Sequence, residues 1–251
     1  MMGEKTRVAI VTGGARGIGR GCALELARRD FDLVLVDLLV PEMERTAGEI
    51  RECGRRTLTF EADVSRFDRA QAITAEVKSA WGRIDFLLNN AGRSMPKGLL
   101  DITEAEWDST LEINLKSCFN WCKAVAPFML AQGGGRIVSM SSLNAHTGGV
   151  TSAASKCAYA AAKAGILGLT RALAKELGPT IAINAICPGV IETDLLQALI
   201  KVRGPELARG IALGRLGTPQ DVAQVVAFLA TAEPCFITGQ NFIVDGFQWV
   251  A

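Results

Sequence analysis

Short apolar runs alternate with longer amphipathic stretches along nearly the whole chain. The short runs are Arg7–Val11, Leu33–Val36, Thr57–Glu61, Phe86–Leu88, Arg136–Met140, Ile181–Ile186 and Phe242–Val244. They are β-branched or leucine-rich and often lack polar alternation, which is how strands covered on both faces read. The stretches between them, 17–29, 41–53, 66–81, 104–131, 155–177 and 219–230, carry helical patterns. Pro41 and Pro219 mark two helix starts, and the Thr103-Glu104-Ala105-Glu106 box marks a third. Strand and helix in alternation predict right-handed βαβ crossovers. The expected fold class is therefore α/β, a parallel sheet with helices on both faces, in a single domain over 1–251. The region 190–218, punctuated by glycine and proline, predicts irregular structure after the sixth strand. At that place it is either a substrate lid beside the ligand crevice or a plain surface excursion.

Composition narrows the function classes. The 251 residues carry 27 basic and 26 acidic side chains, a formal net charge of +1. No basic field is present to attract nucleic acid or an anionic membrane. The seven cysteines are scattered, and Cys118 and Cys122 have no second pair or histidine nearby to complete a zinc site. They read as reduced thiols of a cytoplasmic protein, with no metal. The start MMGEKTRVAIVTGG has no signal-type apolar core, and no apolar run is long enough to span a bilayer.

The first strand runs into TGGARGIG, residues 12–19, and then into a helix. Glycine permits the tight turn and lets phosphate oxygens approach the backbone. The helix N-terminus adds free N–H groups and a partial positive charge, which suits a pyrophosphate. Asp37 stands at the end of the second strand, 18 residues after Gly19. A carboxylate there accepts bonds from ribose hydroxyls and repels a 2′-phosphate. Arg16 pulls the other way, because it could pair with that phosphate. Asp37 is the better placed, so NAD is expected ahead of NADP. Asp63, with Val64 beside it, is a candidate for the adenine amino group or an N-cap for the next helix.

CAYAAAK, residues 157–163, holds the one tyrosine of the chain, four residues before Lys163. Positions i and i+4 share a helix face. A free phenol ionises near pH 10, and a neighbouring ammonium favours the phenolate. The pair is thus a candidate acid–base couple. Lys156, within a turn of Tyr159, is a rival charge partner.

Together these features resemble the short-chain dehydrogenase/reductase family. The likeness is carried by TGGARGIG, NNAG at 89–92, Asn114 in EINLKSCFNW, GRIVSMSS at 135–142, YAAAK at 159–163, CPGVIETD at 187–194 and GQNFIVDG at 239–246. It covers nearly the whole chain. It implies a Rossmann-type doubly wound sheet of seven parallel strands in the order 3-2-1-4-5-6-7. It also implies an NAD(P)-dependent oxidoreductase interconverting a secondary alcohol and a ketone by hydride transfer. Tyr159 would be the acid/base and Lys163 its charge partner and ribose contact. Ser142 would hold the substrate oxygen, and Asn114 a water in a proton relay. Cofactor contacts would come from Gly13, Arg16, Gly17, Ile18, Gly19, Asp37, Asp63, Val64, Asn90, Ala91, Gly92, Tyr159 and Lys163. Pro188, Gly189, Ile191 and Thr193 would pass over the nicotinamide. A small-molecule substrate and a homotetramer, built on the helices of 104–131 and 155–177, are likewise implied.

The chain departs from the family pattern in two places. The segment between Ser142 and Tyr159 is long, which makes Ser141 a rival to Ser142. It carries His146, the one histidine, read as a solvated loop side chain or a substrate contact. VDGF replaces the usual VDGG, so Phe247 is a candidate pocket or subunit contact. Arg93 and Lys97 could meet an acidic or polyhydroxylated substrate, or simply face solvent. Two further readings stay open. One is 3-oxoacyl-[acyl-carrier-protein] reductase, although AQGGG at 131–135 and GPTIA at 178–182 lack the basic residues expected for an acidic carrier. The other is a non-catalytic dinucleotide sensor, which would not need the acid–base pair.

Overall fold

A computed structural model describes residues 6–149, 155–193 and 197–248. Seven strands form one parallel sheet: β1 (Arg7–Thr12), β2 (Phe31–Asp37), β3 (Thr57–Glu61), β4 (Phe86–Asn89), β5 (Gly135–Met140), β6 (Ile181–Pro188) and β7 (Asn241–Val244). Their order is β3-β2-β1-β4-β5-β6-β7, as the family resemblance implies. The helices are α1 (Gly17–Arg28), α2 (Val40–Glu52), α3 (Phe67–Trp81), α4 (Glu104–Leu111), α5 (Ser117–Ala131), α6 (Asn144–Thr147), α7 (Cys157–Leu177), α8 (Gln197–Arg209) and α9 (Pro219–Thr231). A π-helical turn, Glu112–Lys116, joins α4 to α5.

The unbroken apolar strands are explained by burial on both sides. Ala9 and Val11 of β1 face a core shared with α1, α2 and α9. Val8 and Ile10 face the opposite core, shared with α3, α5 and α7. Leu33 and Leu35 of β2 divide from Val34 and Val36 in the same way. Each such side chain contributes roughly 1.5–3 kcal/mol of transfer free energy when fully buried. All strand carboxyl ends lie along one edge of a parallel sheet. Strand order reverses between β1 and β4, which opens a crevice at that edge.

Helix starts follow the sequence signals. Thr103 and Glu106 form a complete capping box on α4. Thr218 and Asp221 form another on α9, which begins at Pro219. The larger departures from expectation have structural causes. Strand β2 begins earlier, at Phe31, because it pairs with Arg7 and because buried Asp32 is held by the Arg56 N–H (2.9 Å) and Nε (2.7 Å). Strand β6 runs on through Cys187 and Pro188, which pair with Ile243 and Val244. The region 190–218, expected to be irregular, contains α8.

Candidate active site

The glycine turn is packed too tightly for side chains. Gly13 and Gly17 have φ of +66° and +56°, a region that disfavours other residues. A Cβ on Gly19 would lie 1.9 Å from the Gly13 carbonyl oxygen. The Asn90 side chain secures this turn, since its Nδ2 donates to the carbonyls of Thr12 (3.1 Å) and Gly13 (3.0 Å). The Thr12 hydroxyl accepts from the N–H groups of Asn90 (3.0 Å) and Ala91 (3.2 Å). Thr12, not singled out from the sequence, thus ties the glycine turn to NNAG. Its one signal there is a polar residue closing an apolar strand.

Helix α1 opens with Arg16 as N-cap, without a side-chain cap bond, and its first turn has no acidic residue. The Arg16 side chain is exposed, Ile18 is half-buried and Gly19 is buried. Asp37 ends β2 beside this turn. Its Oδ2 accepts from the Ala15 N–H (3.0 Å), and its Oδ1 from the N–H groups of Leu38 (2.8 Å) and Leu39 (3.1 Å). Asp63 is exposed and accepts from the Ser65 N–H (2.9 Å) and hydroxyl (2.8 Å). It does not cap α3, whose N-cap is Arg66, so its carboxylate shapes the turn before that helix. Val64 next to it is buried.

On the other side of the crevice, α7 brings Tyr159 and Lys163 onto one face. The Lys163 ammonium lies 5.6 Å from the Tyr159 ring centroid. Lys163 is buried, with its Nζ donating to the Met140 carbonyl (2.7 Å). A Cβ on Gly92 would meet Asn114 Oδ1 at 2.8 Å and Lys163 Nζ at 3.4 Å, so Gly92 leaves room for both. Asn114 sits in the π-helical turn, fully buried. Its Nδ2 donates to the carbonyls of Arg93 (3.0 Å) and Thr110 (2.9 Å), and its Oδ1 accepts from the Arg93 N–H (3.1 Å). The structure therefore brings Gly92, Asn114 and Lys163 together.

The two serines after β5 differ. Ser141 is buried and donates to the Lys163 carbonyl (2.7 Å), tying β5 to α7. Ser142 is half-buried, and its hydroxyl accepts from the Asn144 N–H (3.2 Å). Lys156, the rival charge partner, is the N-cap of α7 and donates its backbone N–H to the Met95 carbonyl (2.8 Å).

The turn after β6 is clamped by the C-terminal segment. The Gly189 N–H donates to the Val244 carbonyl (3.0 Å), and the Val190 N–H to Gln248 Oε1 (3.2 Å). Ile191 is buried and forms a bridge with Gly217. The Thr193 methyl lies 3.4 Å from where a Gly17 Cβ would be, so this segment reaches the glycine turn.

Other candidates find structural partners. Lys97 pairs with Glu106 (2.6 Å), and Arg93 donates to the Ser109 hydroxyl (3.0 Å). Lys97 and two bonds within the cap hold the Glu106 carboxyl down to about 2. His146, expected in a solvated loop, instead lies on α6 and reaches Cys187 and Asn241. Phe247 is 64% exposed with φ of +62°, a strained position for a residue with a side chain. Burial pushes the Cys122 thiol up to about 12 and raises those of Cys118 and Cys187, which keeps them protonated. Among the described residues no group of three His, Cys, Asp or Glu could hold a metal ion. Nor is any described helix long and apolar enough to cross a membrane.

Comparisons with known proteins bear on the fold and the family. Residues 13–246 match the family model described as enoyl-(acyl carrier protein) reductase. The oxidoreductase UcpA of Salmonella typhimurium is 39% identical over 98% of this chain and 95% of its own. The 3-oxoacyl-[acyl-carrier-protein] reductase FabG of Thermotoga maritima is 36% identical, covering 96% of each chain. Among solved structures, a glucose/ribitol dehydrogenase of the short-chain type from Brucella melitensis superposes with a TM-score of 0.89 at 33% identity, over 98% of this chain and 97% of that one. The chain belongs to the short-chain dehydrogenase/reductase family of oxidoreductases.

Proposed function

We propose that the protein is an NAD-dependent oxidoreductase that interconverts a secondary alcohol and a ketone, with Tyr159 as acid/base. The observation that carries this reading is the buried Lys163 ammonium on the face of α7 that also bears Tyr159, against Gly92 and Asn114. The glycine turn fits a dinucleotide. Helix α1 begins with uncapped N–H groups and no acidic side chain in its first turn, conditions that favour a bound pyrophosphate. Gly13, Arg16, Gly17, Ile18 and Gly19 would hold that group. Asp37 Oδ2 carries one backbone bond and keeps a lone pair for a ribose hydroxyl. Asp63 and Val64 would flank the adenine. Asn90, Ala91, Gly92, Pro188, Gly189, Ile191 and Thr193 would border the nicotinamide half.

When bound, the nicotinamide supplies the hydride acceptor for oxidation, or the donor for reduction. The protein's own residues move the proton. Ser142 holds the substrate oxygen, and Tyr159 takes the hydroxyl proton in oxidation or donates one in reduction. Lys163 holds positive charge beside the phenol and contacts the nicotinamide ribose. Asn114 positions the Arg93 backbone and the relay water. In this reading the stretch 190–218, of which 194–196 lie outside the described residues, covers the substrate.

The test is binding of NAD+, NADH, NADP+ and NADPH, read by tryptophan fluorescence or calorimetry, for wild type and Asp37→Ala. Tighter NAD(H) binding, with the preference weakened about tenfold in the variant, is expected from loss of a bond to a charged group. Tighter NADP(H) binding in wild type would hand the ribose site to Arg16.

A second reading is 3-oxoacyl-[acyl-carrier-protein] reductase, favoured by the FabG likeness. Turnover of a 3-ketoacyl thioester with NADPH would establish it. For assembly we propose a homotetramer. An apolar groove of about 630 Å³ runs between the α4–α5 unit and α7, lined by Leu111, Leu115, Phe119, Gly165, Gly168 and Leu169. Light scattering on the eluting protein checks this, and a stable monomer would refute it.

A further inference from the structure

We infer that His146 is a positioning residue, which holds Ser142 in the site by pinning α6 to the ends of β6 and β7. The inference rests on the oxidoreductase reading for what Ser142 does, and on geometry for how it is held.

Ser142 is continuous with α6. Its carbonyl accepts from the Ala145 N–H (3.0 Å), and its hydroxyl accepts from the Asn144 N–H (3.2 Å). The serine therefore goes where the short helix goes. A helix of four residues cannot hold itself. Ala145 packs on the cluster of Ile166, Leu167 and Cys187, and two hydrogen-bonding attachments add to it. One is the Leu143 N–H, which donates to the Pro188 carbonyl (2.9 Å). The other is His146, whose Nε2 lies 3.3 Å from Asn241 Nδ2 and 3.6 Å from Cys187 Sγ. These partners come from two strands, so one ring nitrogen gathers α6, β6 and β7. The amide is a donor in this arrangement, and burial keeps the Cys187 thiol protonated. An Nε2 facing the amide donor acts as acceptor, which places the proton of that tautomer on Nδ1. Both attachments meet β6 at Cys187–Pro188, where the chain turns toward the nicotinamide side. Ser142 and the Pro188-Gly189 turn are thus fixed to each other through His146 and Leu143.

The test uses the full-length protein. His146 is the chain's one histidine, so a single imidazole appears in a ¹⁵N spectrum. The expected signal is the Nδ1–H tautomer, and a ring protonated on Nε2 at neutral pH would overturn the pin. Three variants follow. His146→Gln keeps an acceptor at Nε2 reach, while His146→Ala and Asn241→Leu remove the contact. Amide exchange over 143–149 should quicken in the last two and stay near wild type in His146→Gln. Unchanged exchange in all three would overturn the proposal, whatever the enzyme's substrate.

Turnover is then measured with NAD+ on whichever of a panel of secondary alcohols and sugars wild type oxidises. His146→Ala should lower kcat about tenfold to a hundredfold, the scale of a misplaced site group. KM for NAD+ should stay within about twofold, since the change would act on the chemical step rather than on ground-state binding. His146→Gln should recover most of the loss. Equal kcat in His146→Ala and wild type, or equal losses in Ala and Gln, would overturn the role for Ser142. No turnover by wild type of any member would instead count against the oxidoreductase reading, leaving the exchange result to judge the pin.

Discussion

The glycine turn after β1 and the short helix after β5 both sit at the carboxyl edge of the sheet, and they are held in different ways. The turn is fixed by close packing of its own glycines, to which the Asn90 side chain adds its bonds. Gly13, Gly19 and Asn90 are so close that no Cβ fits at either glycine. Helix α6 is fixed by reach. Its contacts run through Leu143, Ala145 and a histidine whose partners stand 41 and 95 residues away in the chain. A site built the first way constrains residue type locally and shows in the sequence. One built the second way shows only when the strands are in place. In the proposed reading the dinucleotide side is built the first way and the substrate side the second, which is why the substrate is harder to read.

Substitutions separate the two regions. The largest effect should come from Tyr159→Phe, which touches neither region's packing. Turnover should fall by roughly 10²–10⁴, with NAD(H) affinity near wild type by calorimetry. Retained turnover would remove Tyr159 from the proton path. Next comes Gly19→Ala. Its methyl would meet the Gly13 carbonyl at 1.9 Å, so the backbone must move, at a cost of about 1–3 kcal/mol or more. Chemical denaturation should show that loss together with weakened cofactor binding. If the variant is as stable as wild type, the turn is softer than its packing indicates.

The smallest effect concerns the caps. The paired Arg215 guanidinium and the Thr218 backbone and hydroxyl bonds hold the Asp221 carboxyl well below its usual range. Stability from such a depressed group is complete above the unfolded carboxylate value, about pH 4, and is lost as pH falls through the folded one. Glu106, held at about 2 on α4, follows the same sign. Asp221→Asn should therefore be less stable than wild type at neutral pH. The two denaturation midpoints should converge as pH drops below about 4. Parallel curves down to about pH 2 would remove Asp221 from the acid response.

Much of this molecule was legible before its structure. The strand cores were visible because burial on both faces leaves no polar alternation, as in Val8–Val11. The caps at Thr103 and Thr218 were visible because their chemistry is local. The Tyr159–Lys163 face follows from helical spacing alone. Three features were not. Helix α8 lies in a stretch broken by Gly204 and Pro205, which reads as loop. His146 could not be placed because its neighbours are tertiary. The π-helical turn at Glu112–Lys116 has the composition of an ordinary helix, so 104–131 read as one regular stretch.

That turn has a consequence for how the chain can vary in length. Glu112–Lys116 widens the helix by one residue, with Asn114 buried inward while Leu111 and Leu115 line the outer groove. Removing any one of its five residues would restore the regular winding. The helices on either side would keep nearly the same relative orientation, since the wide turn absorbs the extra residue that α winding would convert into about 100° of rotation. The capped start at Thr103 would stay in place, while Asn114 would lose the bulge that carries its bonds to Arg93. A single deletion within 112–116 should therefore spare the fold and disturb the surroundings of Asn114.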